Sequence, residues 1–269
     1  MTKPVRWDPQ QYQRYGDERS RPFFELLNRV QVARAEAADP SYVVDLGCGP
    51  GPLTRFLADL WPNAEVLGVD SSSDMIASAQ EHAIDDRLSF VVGDIADWQP
   101  TRPVDVLIAN AALHWVPGHI DLMPRIAAAL APGGVLAFQV PDNFTEPSHT
   151  LLLDLRTSPR WRDKLGDGAD RSAGVERPQR YLTAMIDAGL DADVWQTEYL
   201  HVLPGEDAVL EWVKGTALRP VLSLLDGDER DEFLADYAAA LRAAYPKDDF
   251  GTVFPFCRTF AVGRAILRA

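Results

Sequence analysis

The stretch Val43-Val44-Asp45-Leu46-Gly47-Cys48-Gly49-Pro50-Gly51 is the part of this chain best suited to hold a ligand. An apolar run that reads as a buried strand passes straight into a glycine-rich turn, and a helical pattern follows from Leu53. Glycines let the backbone approach a ligand closely and adopt conformations that a Cβ forbids. The start of the following helix offers free N–H groups to a carboxylate or phosphate. An ordinary strand-to-helix turn also uses glycine, so the spacing has to say more. A nicotinamide site needs glycines in the pattern G-x-G-x-x-G. Gly47 and Gly49 fit that pattern, but its third position is Pro52. The lysine and hydroxyl residue of a triphosphate-binding loop are also missing. Asp45, just before the turn, is placed to orient the loop or to meet an ammonium group through water.

Two further carboxylates stand at strand ends. Asp70 closes the run Val66–Val69, and a carboxylate at such a tip can accept from both hydroxyls of a ribose. It can equally cap the next helix, a task that Ser71, Ser72 and Ser73 could share. With the glycine turn in place, Asp70 is read as the ribose acceptor and Ser71 as its neighbour in the site. Val92-Gly93-Asp94-Ile95 closes a third run. There Asp94 can accept from an adenine amino group while the Ile95 N–H donates to the ring. A fourth run, Val104–Ala109, leads into Asn110-Ala111-Ala112-Leu113-His114-Trp115.

These tips must be presented by alternating strands and helices. Short apolar runs at Tyr42–Leu46, Val66–Val69, Leu88–Val92, Val104–Ala109 and Val135–Val140 read as strands. Helical patterns cover Leu53–Trp61, Met75–Ala83 and Ile120–Leu130, and Pro132-Gly133-Gly134 reads as a turn. Such alternation predicts an α/β fold with a mostly parallel sheet and helices on both faces. Ahead of it, an arm with Trp7, Tyr12 and Tyr15 leads into a helix over about Ser20–Glu36. After Pro141 the pattern changes, and Asp142–Arg177 reads as irregular, with Pro147, Pro159, Gly166, Gly168 and Gly174. A helix over Arg180–Ala188, strands over about 193–202 and 256–266, and helices over Asp207–Thr216 and Asp228–Ala244 follow. The expected organisation is an arm and helix (1–41), a ligand-binding core (42–145), and a C-terminal part (146–269) that completes the sheet. Within that last part, about 204–250 forms a helical insert covering the substrate.

Composition narrows the partners. The chain has 269 residues, 46% of them hydrophobic, and a formal net charge of -14. Neutralising phosphates needs Lys and Arg in excess, so nucleic acid and anionic membranes are poor partners and neither is expected, although a local basic pocket is compatible with this charge. A small-molecule substrate is expected instead. No apolar stretch approaches the length of a membrane span, and the first residues lack a signal-like apolar run, so a cytoplasmic protein is expected. Cys48 and Cys257 lie far apart, and no His or Cys cluster has metal-ligand spacing, so no metal is expected.

The four strand-end motifs occur in the order of class I S-adenosylmethionine-dependent methyltransferases, and Leu130-Ala131-Pro132-Gly133-Gly134-Val135-Leu136 resembles that family too. The resemblance covers roughly Tyr42–Val140. It implies a Rossmann-like sheet of seven strands, S-adenosylmethionine as cofactor and S-adenosylhomocysteine as product. Asn110 would then hold the methionine end, and Trp115 would wall the methyl-transfer site. Other segments resemble a narrower family, the trans-aconitate 2-methyltransferases. They are Trp7-Asp8-Pro9, Arg19-Ser20-Arg21-Pro22, Asn110–Pro117, Pro141-Asp142-Asn143-Phe144, Asp193-Val194-Trp195, Gly215–Pro220 and Phe254–Arg258. This likeness implies methyl-ester formation on a carboxylate of trans-aconitate. Guanidinium groups bind carboxylates bidentately, so Arg219 and Arg258 are the substrate-clamp candidates, with Tyr181, Asn143, His114 and Trp115 behind them. Cys257 departs from related sequences, which can carry a second basic residue there. No general base is expected, because a carboxylate has no proton to lose near pH 7. Two alternatives remain: methylation of another small metabolite, and a non-catalytic S-adenosylmethionine-binding protein.

Overall fold

The computed structural model describes residues 16–166 and 174–266; the arm with Trp7, Tyr12 and Tyr15 lies outside them. Among the described residues, eight strands form one mixed sheet in the order β3-β2-β1-β4-β5-β8-β6, with β7 paired to β8. They are β1 (Tyr42–Leu46), β2 (Glu65–Asp70), β3 (Leu88–Val92), β4 (Val104–Asn110), β5 (Leu130–Pro141), β6 (Leu190–Leu203), β7 (Lys247–Asp248) and β8 (Gly251–Ala265). The first five pair in parallel, and β7 pairs antiparallel with β8. Seven strands were expected; the eighth, β7, is two residues long, too short to leave a periodic pattern. Helices cover both faces.

The chain divides into two compact units. The first comprises residues 16–141, 174–197 and those from 259 on. Its strands β1 and β4 are buried on both faces, as continuous apolar sequence requires. Helix α1 (Gly16–Ala33) packs against β5, with Phe23, Leu26, Leu27 and Val30 buried on one stripe. It already includes Gly16, four residues before Ser20, and accommodates Pro22, whose missing N–H removes one intrahelical bond. Helices α2 (Pro52–Leu60) and α3 (Ser73–Ala79) follow β1 and β2. The helix expected over Ile120–Leu130 is shorter: a 3-10 turn at His119–Leu122 leads into α4 (Met123–Ala128), with Pro124 in its first turn.

The turn expected at Pro132–Gly134 lies inside β5 instead. Leu130 pairs with Val104 and Val135 with Val106, so the residues between bulge from the ladder. A Cβ on Gly134 would stand 2.6 Å from the Val104 carbonyl oxygen, which explains the glycine.

The second unit includes residues 142–166 and 198–258. The segment expected to be irregular carries two helices, α5 (Pro147–Thr157) and α6 (Arg162–Leu165). Pro147 opens α5 rather than breaking it, because proline suits the first helical turn, where its amide would have no partner. The insert holds α8 (Ala208–Lys214), α9 (Arg219–Leu222) and α10 (Gly227–Ala244), while α7 (Pro178–Asp187) belongs to the first unit. Ser148 fastens α5 through its backbone: its N–H donates to the Tyr245 hydroxyl at 3.0 Å, and its carbonyl accepts from the Tyr237 hydroxyl. Phe233 of α10 meets Trp161 edge-on at 5.3 Å.

Candidate functional site

The glycine turn runs from the carboxyl end of β1 to the start of α2. Gly47 has φ 78, and a Cβ there would lie 2.3 Å from the Ala112 Cβ. Gly51 has φ 95, and its Cβ would press on Ala79 at 3.0 Å and on the Phe90 ring at 3.1 Å. Gly49, at φ 56, faces open space within 4 Å, so this is the flank that a ligand can approach. The amides of the turn are already engaged. Gly47 and Cys48 donate to the Val69 carbonyl at 2.7 and 3.0 Å, and Gly49 donates to Asp70 Oδ2 at 2.9 Å. The turn therefore offers shape to a ligand, and these three N–H groups fix that shape.

Asp70 lies at the tip of β2. Its Oδ1 accepts from the Ser72 N–H at 2.9 Å. Ser72 is the residue that caps α3, taking the Met75 N–H at 3.3 Å, whereas Ser71 is exposed. Burial raises the Asp70 pKa, opposed by the N–H groups of Ser72 and Gly49. Asp45 is buried, and its Oδ2 accepts from the Thr54 hydroxyl at 2.6 Å. Its Oδ1 has no hydrogen-bond partner among the described residues. Burial pushes its pKa up to about 6, against the pull of the Thr54 bond. Thr54 was not singled out in the sequence, although a threonine on an otherwise apolar helix face was the available signal.

Asp94 is exposed after β3, with Oδ1 accepting from the Ala96 N–H at 2.8 Å. Ile95 is buried, and its carbonyl accepts from Arg125 at 3.0 Å. At the tip of β4, Asn110 Oδ1 accepts from Gln139 Nε2 at 2.8 Å. The next residue, Ala111, has φ 52, a conformation costing a non-glycine residue about 1–2 kcal/mol. Its N–H donates to the Gln139 carbonyl at 3.0 Å, which holds it there. Gln139 thus steadies the whole tip. A glutamine amid the apolar residues of β5 was its trace in the sequence.

The loop beyond Asn110 carries His114 and Trp115, whose rings lie 5.0 Å apart, with Trp115 exposed. A second histidine, His119, organises this loop. Its Nδ1 lies 3.3 Å from the Val116 carbonyl and its Nε2 2.8 Å from the Tyr181 hydroxyl, which also accepts from the Glu176 N–H at 3.1 Å. Burial lowers the His119 pKa and favours the neutral ring. Tyr181, expected among the substrate-positioning residues, is fully buried against Phe138 and His119. Its hydroxyl is bonded inside the protein, so its place is in the core.

In the second unit, Arg258 is buried with its guanidinium 4.7 Å from the Phe256 ring centroid. Phe256 packs in turn on Trp212 and His201. Arg219 is half-buried and opens α9, where Pro220 helps start the helix. Asn143 is buried with both ends of its amide on β8: Oδ1 accepts from the Cys257 N–H at 2.6 Å, and Nδ2 donates to the Pro255 carbonyl at 3.4 Å. Burial raises the Cys257 thiol pKa, as do the nearby carboxylates of Asp142, Glu198 and Glu146, so Cys257 adds no charge beside Arg258.

Comparison with known proteins gives this geometry a family. Residues 43–134 match a family model described as a methyltransferase domain. A trans-aconitate 2-methyltransferase of Streptomyces avermitilis is 50% identical over 95% of this chain and 96% of its own length. One from Mycolicibacterium gilvum is 46% identical over 96% of this chain and 98% of its own. Among solved structures, a protein from Bacillus halodurans aligns with TM-score 0.58 at 14% identity, covering 90% of this chain and 99% of that one. The plantazolicin methyltransferase BpumL, solved with SAH, aligns with TM-score 0.53 at 14% identity over 96% of this chain and 89% of its own. The structural matches agree on the fold. Near-identical length and up to half of all residues in common go further: the chain belongs to the trans-aconitate 2-methyltransferase family.

Proposed function

We propose that this enzyme transfers a methyl group from S-adenosylmethionine to one carboxylate of trans-aconitate, forming a methyl ester and S-adenosylhomocysteine. The observation that carries this reading is 50% identity to a trans-aconitate 2-methyltransferase along nearly the whole of both chains. The residues of the first unit fit the cofactor. A buried carboxylate oxygen of Asp45 without a partner suits a cation, and Asp70 at a strand tip suits vicinal hydroxyls. Asp94 and the Ile95 N–H take the adenine, Asn110 the methionine end, and the turn Gly47–Gly51 with Ser71 lines the approach. The cofactor supplies an activated methyl group on a sulfonium, open to direct displacement by a carboxylate oxygen.

The chain's own task is then to bind and align a small polyanion. Arg258 and Arg219 hold the carboxylates that do not react, leaving the attacking oxygen un-neutralised. Trp115 walls the reacting end, and His114 is a neighbour rather than a base. Alignment alone supplies several kcal/mol of a barrier, up to roughly 7–11 in favourable models. Both cysteines are free thiols, and the net charge of -14 suits neither nucleic acid nor an anionic membrane. No helix among the described residues is long and apolar enough to cross a membrane. These features support a cytoplasmic enzyme of small metabolites.

The test is turnover of labelled S-adenosylmethionine against a panel of unsaturated di- and tricarboxylates. Trans-aconitate is expected to be the preferred acceptor, with the ester confirmed by mass. Arg258→Ala removes a buried charged partner, worth about 2–5 kcal/mol, and is expected to cut kcat/KM about thirtyfold or more while sparing cofactor affinity. Arg219→Ala, at a half-buried site, is expected to act the same way with a smaller loss. Wild-type kcat/KM in both variants would remove the clamp from the reading. Turnover of another metabolite in preference to trans-aconitate would replace the substrate.

A further inference from the structure

The buried side chain of Asn143 has a chemistry of its own to explain. Its amide bonds the carbonyl of residue 255 and the N–H of residue 257 on β8. Those two main-chain groups flank Phe256, and each needs a hydrogen-bond partner once buried. Asn143 comes two residues after β5 ends at Pro141, and the Asp142 N–H bonds the Cys257 carbonyl at 2.9 Å. Backbone and side chain of 142–143 thus continue the pairing of β8 past the end of β5. Both sides of residue 257 are pinned, its N–H by Asn143 and its carbonyl by Asp142. The next residue in the chain is Arg258, whose guanidinium rests on Phe256 within the same pinned segment. A side chain so engaged is poorly placed to serve a ligand directly, and well placed to fix the origin of the arginine.

We infer that Asn143 is a positioning residue for substrate recognition, acting through the main chain at 255–257 to set Arg258 and not by touching the substrate. The inference rests on the reading that Arg258 binds a non-reacting carboxylate. Backbone placement matters there because a bidentate guanidinium–carboxylate pair is directional and a displaced fork keeps its charge but loses its geometry.

The experiment compares wild type, Asn143→Ala, Asn143→Asp, Arg258→Ala and the Asn143→Ala/Arg258→Ala double variant, all in the full chain. Steady-state kinetics use trans-aconitate and an unsaturated dicarboxylate that lacks one carboxylate, with cofactor affinity measured by calorimetry. Asn143→Ala is expected to raise KM for the tricarboxylate about tenfold or more, equivalent to roughly 1.4 kcal/mol, with kcat nearly unchanged. The preference for tricarboxylate over dicarboxylate should shrink with it, and cofactor affinity should hold. Adding Asn143→Ala to Arg258→Ala should cost little more, since both act on one interaction and such pairs are non-additive. If alanine prevents folding, Asn143→Asp keeps the shape and the acceptor for the Cys257 N–H, and is expected to raise the same KM. An unchanged KM in the folded Asn143 variants, while Arg258→Ala is crippled, overturns the positioning role alone. Full additivity overturns it as well, because Asn143 would then act elsewhere. Wild-type kinetics in Arg258→Ala would sink the arginine reading and this inference together.

Discussion

Asp70 accepts one backbone N–H on each carboxylate oxygen, from Gly49 and from Ser72, and an ionised carboxylate has about four acceptor sites. The same side chain can therefore brace the glycine turn and still receive two hydroxyls. This arrangement joins what the sequence left as alternatives, since Asp70 also organises the turn into α3 while Ser72 does the capping. Asp70→Ala is expected to weaken S-adenosylmethionine binding about tenfold to a hundredfold, from roughly 1.5–3 kcal/mol for a hydrogen bond to a charged group. It should also lower stability, because the Gly49 and Ser72 amides lose their acceptor. Asp70→Asn keeps one acceptor oxygen and should fall between. Calorimetry on the folded variants checks this, and unchanged affinity in both would take the ribose away from Asp70.

At the scale of elements, the glycines of the β1–α2 turn differ in what a methyl group would meet. Gly47→Ala combines a left-handed backbone with a collision against Ala112, for an expected loss of about 2–5 kcal/mol. Gly49→Ala meets nothing and carries only the backbone term, about 1–2 kcal/mol. Its methyl group would project into the open flank, so its larger effect should be on cofactor affinity. Denaturant midpoints and calorimetry on both variants separate the two; equal stability losses would mean that the Ala112 loop gives way. The elements around this turn were legible because short, mostly apolar runs with polar or glycine-rich flanks read as strands: β1, buried throughout, and β3, buried only at Leu88 and Phe90, both match their sequence boundaries residue for residue. Legibility failed where one residue type has two uses. Pro147 reads as a breaker and is a helix opener, and Pro132–Gly134 reads as a turn and is a bulge within β5. Among the candidate site residues, the placement of Asp70 at the tip of β2 and of Asp94 just after β3 could be read from position alone. Thr54, Gln139 and His119 could not, because each takes its role from a hydrogen bond to a residue that lies next to it only in the fold.

The molecule as a whole is interleaved along the chain. The sequence places the end of the core near residue 145, and the contact boundary falls at 141–142, but 174–197 and the residues from 259 on return to the first unit. A linear reading draws domains as contiguous, and only strand pairing shows that late residues belong with early ones. Whole-molecule proton balance has one conspicuous contributor in Asp45. Its pKa in the folded chain lies near 6, above the ordinary 3.8, so folding favours its protonated form. The stabilisation is complete below pH 3.8 and is lost as pH rises through about 6, leaving a burden of about 3 kcal/mol at neutral pH. Asp45→Asn should consequently raise Tm at pH 7. A cation bound beside Asp45 reverses the preference, so a cofactor ammonium seated there, as proposed above, would expel whatever proton the carboxyl still holds. Near pH 6 that amounts to about half a proton per cofactor bound, and almost none by pH 8. The heat of binding should thus vary with the ionisation enthalpy of the buffer at pH 6, and the variation should vanish at pH 8 and in Asp45→Asn. A flat response at pH 6 would mean that the carboxylate and the cofactor's charge do not sense each other.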